Sequence, residues 1–238
     1  MTISLKEQFD RSNIETIIKG FYDELDCEIG NLCNLHDIDQ FEVYRNEQGL
    51  IHRDDGPAII GRSSTSEHSL AEAWYRDGFP HRDMEPALII KDIFAGKEEL
   101  IQSWYQNGVQ HREHGPSVIH TQMASSGPVV HKEKWFLHGL QHRLGGPAEV
   151  HIDTDTGVIY HEFWYQHGRS HRDDGPADIS RDSETGYVYD TIWSVHGVMH
   201  RADGPAFLSL DRAGTGEVIH MAYYHGGIDV TKQFAPKL

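Results

Sequence analysis

WYQHGRSHRDDGPA, residues 164–177, joins an aromatic pair, a His-Gly step, a His-Arg pair and an acidic Gly-Pro-Ala. Whether it is a reaction centre or a building unit depends on whether it occurs once. The same frame reads WYRDGFPHRDMEPA from Trp74, WYQNGVQHREHGPS from Trp104, WFLHGLQHRLGGPA from Trp135 and WSVHGVMHRADGPA from Trp193. An earlier copy, YRNEQGLIHRDDGPA from Tyr44, carries one extra residue before its glycine, and a last one, YYHGGIDV from Tyr223, loses the His-Arg. The histidines of the frame, His52, His81, His111, His142, His171 and His200, are spaced by 29, 30, 31, 29 and 29 residues. A fixed period of this length is the signature of a repeat architecture, in which each unit buries its apolar side against the next.

Each repeat reads as two antiparallel strands. Runs such as VIYHEFWY from Val158 and YVYDTIW from Tyr187 precede the aromatic pair, and PAEVHI, PADIS and PAFLSL follow the proline. Between them lie DTDTG at 153–157, DSETG at 182–186 and DRAGTG at 211–216, polar segments closed by glycine as hairpin turns require. Asp77-Gly78, Asn107-Gly108, His138-Gly139, His167-Gly168 and His196-Gly197 make the other reversal, since Asn, Asp and His tolerate left-handed backbone angles best after glycine. Like residues recur in ladders: Ile60, Ile89, Ile119, Val150, Ile179 and Leu208 over Ala58, Ala87, Ser117, Ala148, Ala177 and Ala206. The expected fold is mainly β, an elongated antiparallel β-hairpin repeat array of about six and a half units over 41–238, with a divergent C-terminal cap from about 223. A closed barrel of the same strands is the topological alternative.

Residues 1–40 lack the repeat. Ile14, Ile17, Ile18, Phe21, Tyr22, Leu25, Ile29 and Leu32 recur at helical spacing, and Ser4 with Glu7 and Ser12 with Glu15 have capping-box spacing. An N-terminal helical segment is expected, either a lid on the end of the array or a docking or dimerisation helix, with Asp23, Glu24, Asp26 and Glu28 as candidate partner-binding residues.

The net charge of -16 argues against direct capture of nucleic-acid phosphates and favours a protein target with a basic surface. No apolar run reaches the ~20 residues of a membrane helix, and MTISLKEQFD lacks a signal-peptide layout, so the cytoplasm, that of the host cell if the protein is phage-encoded, is the expected address. Cys27 and Cys33 precede the repeats and are expected as reduced, packed thiols.

The frame's residues suggest chemistry that their copying disfavours. His-Gly-x-x-His at 138/142, 167/171 and 196/200 invites a metal, but hairpin copies stand about 10 Å apart, too far for neighbouring histidines to share an ion. DTDTG lacks the distal glutamate of a calcium loop. An active site needs one asymmetric constellation, whereas the frame's histidine and arginine recur six times. Trp74, Trp104, Trp135, Trp164 and Trp193, the six histidines, and Arg53, Arg82, Arg112, Arg143, Arg172 and Arg201 are therefore expected as structural repeat residues. The arginines can pair with Asp54, Asp55, Asp83, Glu113, Asp173, Asp174 or Asp203 in their own or the next repeat, and the histidines with open backbone groups. No catalytic residue, metal or cofactor is expected. Specificity is expected in the unrepeated stretches 61–71, 91–101 and 121–133.

WYxxGxxHRxDGPA resembles the MORN-variant repeats found in uncharacterised bacterial, phage and giant-virus proteins, over about residues 41–235. Standard MORN repeats are shorter, richer in glycine and lack HRxDGPA. The resemblance implies a β-hairpin repeat sheet that binds proteins or, in some members, lipids. The expected function is a non-catalytic protein-binding module, an inhibitor, antitoxin-like or phage counter-defence protein, with homodimerisation possible. A protein that sequesters nucleotides or phosphate through its repeated arginine and aromatic residues is the alternative.

Overall fold

The computed structural model describes residues 5–10, 38–67, 70–94, 96–124 and 127–234. They form two compact units, one from residues 1–112 with 117–129, the other from 113–116 with 130–238. In the first unit β1 (Leu5–Asp10), β2 (Gln40–Arg45), β3 (Ile59–Arg62), β4 (Leu70–Ala73), β5 (Leu88–Phe94), β6 (Lys97–Ser103) and β7 (Val118–Ala124) pair antiparallel, each with the next. In the second, the latter part of β8 (Gly127–Lys134) pairs with β9 (Glu149–Ile152). The same order continues through β10 (Ile159–Phe163), β11 (Asp178–Arg181), β12 (Val188–Ile192), β13 (Phe207–Leu210) and β14 (Val218–Ala222). One turn of helix, α1 (Thr231–Phe234), follows. The mainly β, hairpin-by-hairpin sheet expected from the repeat is therefore present.

Each repeat carries more than the two expected strands. The chain leaves the sheet at the tryptophan, whose N–H goes to the alanine or serine before the next sheet strand: Trp74 to Ala87 at 2.7 Å, Trp104 to Ser117 at 2.8 Å, Trp164 to Ala177 at 2.7 Å. Two residues on either side of the next turn then form a separate small ribbon, as in Tyr165–Gln166 with Arg169–Ser170. The turn residues explain the ribbon. Asp77, Asn107, His138, His167 and His196 have φ of 50–51°, and each following glycine is also positive, the pattern of a tight hairpin turn whose twist matches the strands. In the outer turns Asp153 Oδ1 accepts the Asp155 and Thr156 N–H groups at 3.0 and 2.9 Å, and Asp182 does the same for its own loop. These aspartates are spent on their own backbone.

The alanine ladder is fully packed: Ala58, Ala87, Ser117, Ala148 and Ala206 are 0 % exposed. The principal core, however, lies on the other face of the first unit, where Val43, Ile59, Ala73 and Leu88 are in register beside Phe41, Ala71, Ile90 and Ile101. Gly61 belongs to that row because a Cβ there would come within 2.8 Å of both Ile38 and Phe41. The ladder of Ile60, Ile89, Val150 and Ile179 alternates instead with Glu42, Glu72, Glu133 and Glu162.

Two expectations are corrected. The start of the expected N-terminal helical segment is a strand: Leu5–Asp10 pairs with Arg45–Gln40, and Lys6–Glu42 at 3.0 Å and Glu7–Arg45 at 3.1 Å fasten it. An existing sheet edge satisfies backbone groups that a one-turn helix leaves open, so pairing outweighs the Ser4/Glu7 cap signal. The rest of that segment, with Asp23, Glu24, Asp26 and Glu28, lies outside the described residues. Among the described residues, the stretches 91–101 and 121–133 are chiefly strand, extending their hairpins, while 61–71 holds a loop between β3 and β4.

The positive φ of Asn107 makes a direct test. Asn107→Val should lower stability by about 1–2 kcal/mol because a β-branched side chain resists that conformation, while Asn107→Gly should be close to neutral. Urea midpoints of the two variants, compared with the parent, read the difference.

Candidate functional site

The corner between ribbon and sheet, His-Arg-x-x-Gly-Pro, places every repeated reactive-looking residue. Each arginine folds back over the aromatic ring of its own copy. The guanidinium carbon lies 4.0 Å from the Trp74 ring centroid for Arg82, 3.9 Å from Trp104 for Arg112, 4.0 Å from Trp135 for Arg143, 3.9 Å from Trp164 for Arg172 and 4.1 Å from Trp193 for Arg201. In the first copy Arg53 covers Tyr44 at 4.1 Å. Nη1 donates to a proline carbonyl four residues on, Pro57, Pro86, Pro147, Pro176 or Pro205, at 3.1–3.4 Å. The glycine before that proline closes the opposite side: a Cβ on Gly175 would stand 2.7 Å from the Arg172 guanidinium carbon. In the second copy, where Glu85 replaces the glycine, its carboxylate pairs with Arg82 and the ring stack survives. Such a stack contributes about 0.5–2 kcal/mol depending on its exposure to water.

The histidine of five corners reaches the following copy. His52 Nδ1 accepts the Asp77 N–H at 3.0 Å, His81 that of Asn107 at 3.1 Å, His142 that of His167 at 3.1 Å, His171 that of His196 at 3.3 Å and His200 that of Gly226 at 3.0 Å. An Nδ1 that accepts a backbone proton carries none itself, so the ring is neutral with its proton on Nε2. Nε2 then faces an aspartate two residues on, Asp54 at 3.2 Å and Asp83 at 3.0 Å. The histidines of the His-Gly-x-x-His segments make contacts between copies. His142 lies on His167 and His171 on His196, with ring centroids 4.5 and 4.4 Å apart.

Carboxylates and apolar tips remain facing outward. Asp55, Asp174 and Asp203 pair with the arginine of their own corner at 2.8–2.9 Å, not with the next repeat, yet their side chains are at least 80 % exposed. The neighbouring guanidinium holds all three below the usual carboxylate range. In the first unit, Asp54 and Asp55 face Arg76 and Asp83 across an open cleft of about 530 Å³ floored by Trp74 and Arg82. Beside the corners, the residue after the turn glycine is exposed and apolar at Leu50, Phe79 and Val109 in the first unit and at Leu140, Val198 and Ile228 in the second, with Arg169 in that place between Leu140 and Val198. Within a unit, each leans on the next turn, so that Leu50 lies 3.7 Å and Phe79 2.9 Å from where a Cβ would stand on Gly78 and Gly108.

Neither feature entered the reading of the sequence. The ring stack had a signal in the constant eight-residue step from tryptophan to arginine, and the apolar row in the constant position after the turn glycine.

The second unit also buries charge. The face that is apolar in the first unit here carries Lys134, Glu149, Phe163 and Asp178 in register, with Lys132, His151 and His161 in the adjoining row. Burial alone would raise Glu149, but His151 at 2.7 Å and Lys134 and Lys132 at 3.5 and 3.7 Å together bring it down to about 2. Asp178 has no such help; burial and the Asp190 charge push it up to about 6. Burial depresses His142, with His167 adding to the effect, and burial likewise depresses His161.

These directions give the pH dependence. A depressed histidine contributes stability that is complete above its ordinary value of 6.5 and is lost as pH falls through the folded value. Stability should therefore drop between pH 7.5 and 5.5 by on the order of 1 kcal/mol, as the His142 and His161 rings gain protons and the His167 N–H loses its acceptor. Raised Asp178 acts oppositely, since its ionised form is costly at pH 7.5 and regains a proton on acidification. Asp178→Asn should be more stable at pH 7.5 by roughly 1–2 kcal/mol and should lose more between the two pH values than the parent. Urea unfolding at both pH values tests both statements; a stability unchanged on acidification would refute the first.

Compared with protein-family models, with curated proteins and with solved structures, the chain finds no match in any of the three.

Proposed function

We propose that this protein is a non-catalytic binding module that engages a protein target presenting basic and apolar side chains, in the manner of an inhibitor, antitoxin-like or phage counter-defence protein. The observation that carries this reading is what each corner leaves accessible. Arginines, tryptophans and histidines are occupied by one another and by the backbone, whereas the corner carboxylates stand outward beside a row of exposed apolar tips. Carboxylates already fixed by an arginine lose little conformational freedom when a partner's lysine or arginine approaches. Apolar residues rimmed by polar ones are the usual composition of a docking surface.

The alternative, sequestration of nucleotides or phosphate, needs free guanidinium edges and free ring faces. In every copy from Tyr44 to Trp193 the arginine covers a face of its own aromatic residue. No helix among the described residues is long and apolar enough to cross a membrane.

The reading is tested by affinity purification from the native host. Reversal of Asp54, Asp55 and Asp83 to lysine should reduce recovery of the bound partner about tenfold, equivalent to roughly 1.4 kcal/mol, and leave the melting temperature nearly unchanged. Reversal of Asp23, Glu24 and Asp26 serves as the competing site. A partner retained after the corner reversal and lost after the N-terminal one would move the interface to residues 1–40.

A further inference from the structure

The ribbons of successive copies are also bonded to one another. In the first unit the Gly78 N–H goes to the Ile51 carbonyl at 2.8 Å; in the second the Gly168 N–H goes to the Gln141 carbonyl at 2.9 Å and the Gly197 N–H to the Ser170 carbonyl at 2.8 Å. Beside each of these bonds a corner histidine accepts the N–H of the turn residue, Asp77, His167 or His196. The turn backbone is the same in all three, with φ of 50° at Asp77 and His167 and 51° at His196. What differs is the side chain that the turn residue presents to the imidazole.

In the first unit that side chain is an acceptor. Buried His52 has Asp77 Oδ1 3.1 Å from Nδ1 and Asp54 Oδ1 3.2 Å from Nε2. A proton arriving on Nδ1 displaces the Asp77 N–H and finds a carboxylate already in place.

In the second unit it is another imidazole. The His167 ring lies 4.5 Å from that of His142, and the His196 ring stacks on that of His171 at 4.4 Å with 7° between the planes. Around His142 the acidic place two residues on is taken by Leu144, and the charge of His167 adds to burial in depressing it. His171 is 4 % exposed, with Asp173 Oδ1 3.6 Å from Nε2 and the His196 N–H 3.3 Å from Nδ1. The adjoining cations, Arg143 and Arg172, are turned onto Trp135 and Trp164. When both rings of a pair carry protons, two cations stand face to face, and each corner ring aims its new Nδ1–H at a backbone N–H. Repulsion then acts at the place where the ribbons were joined.

We propose that the His142–His167 and His171–His196 pairs form an acid-operated clasp, which parts the ribbons of the second unit as the imidazoles gain protons while the sheet and the His52–Asp77 junction stay closed. Site-resolved hydrogen exchange of the full chain at pH 7.5 and 5.0, corrected for the intrinsic pH dependence of exchange, tests it. Gly168 and Gly197 report the two clasps and Gly78 the acid-stable junction. Ala148 and Ala177 report the sheet, since their N–H groups go to the Phe163 and Ile192 carbonyls at 2.8 Å. On acidification the protection of Gly168 and Gly197 should fall about tenfold further than that of Gly78, Ala148 and Ala177. His167→Asn with His196→Asn, which installs the residue that Asn107 shows to fit this turn, should remove that excess loss. Unchanged protection of Ala148 and Ala177 at pH 7.5 shows that this variant is folded. The proposal is overturned if Gly168 and Gly197 lose no more protection than the three reference amides, or if the asparagine variant loses as much at Gly168 and Gly197 as the parent.

Discussion

A neutral imidazole nitrogen accepting the amide proton of the next copy's turn is the contact on which this architecture depends. It recurs between successive copies, seen at His52, His81, His142, His171 and His200. It constrains both ends. The acceptor must be unprotonated at Nδ1, and the donor must sit in a turn whose left-handed backbone aims its N–H at the ring. Arginine works inside the copy, clamped between an aromatic ring and a glycine and tied to a proline carbonyl. One residue of the His-Arg pair registers copies against each other; its neighbour fixes the corner from which the registration is made.

This division gives the recurring histidine and arginine each a part in packing. An imidazole held as an acceptor by a backbone amide, and a guanidinium covered by a ring, have already used the capacities that would serve a substrate. What stays accessible is the exposed carboxylate at the corner and the apolar residue after the turn glycine. A surface built by repetition presents such groups at regular intervals, which suits recognition of an extended partner better than of a small molecule.

The two units treat the same sheet face differently. In the first it is packed around Val43, Ile59, Ile90 and Ile101, with His120 in register with Ile101 and paired with buried Glu99 at 3.0 Å; the equivalent face of the second carries Lys134, Glu149, His151 and Asp178. The ion cluster around Glu149 is internally satisfied, and the low value of that carboxyl reflects its three cationic or hydrogen-bonding neighbours. Asp178 lacks them and stays high. Buried charge of this kind costs desolvation that Coulomb attraction seldom fully returns.

The period, the strand pairs and the left-handed turn residues were legible in the sequence, because each is a local matter repeated from copy to copy. Repetition turns a weak local preference into a pattern. The sequence also marked the aromatic and arginine residues, but their mutual stacking depends on a corner that folds the chain back by eight residues, and only the tertiary structure displays it. The principal core escaped for a related reason. Val43, Ile59, Ala73 and Leu88 become neighbours through register, and register follows from pairing between strands rather than from the order of residues along any one of them. The first strand shows the same limit from the other side: LKEQFD has cap spacing for a helix, and the open edge of Gln40–Arg45 made it a strand. Backbone groups are satisfied wherever the nearest partners stand, and where those partners stand is decided by the fold.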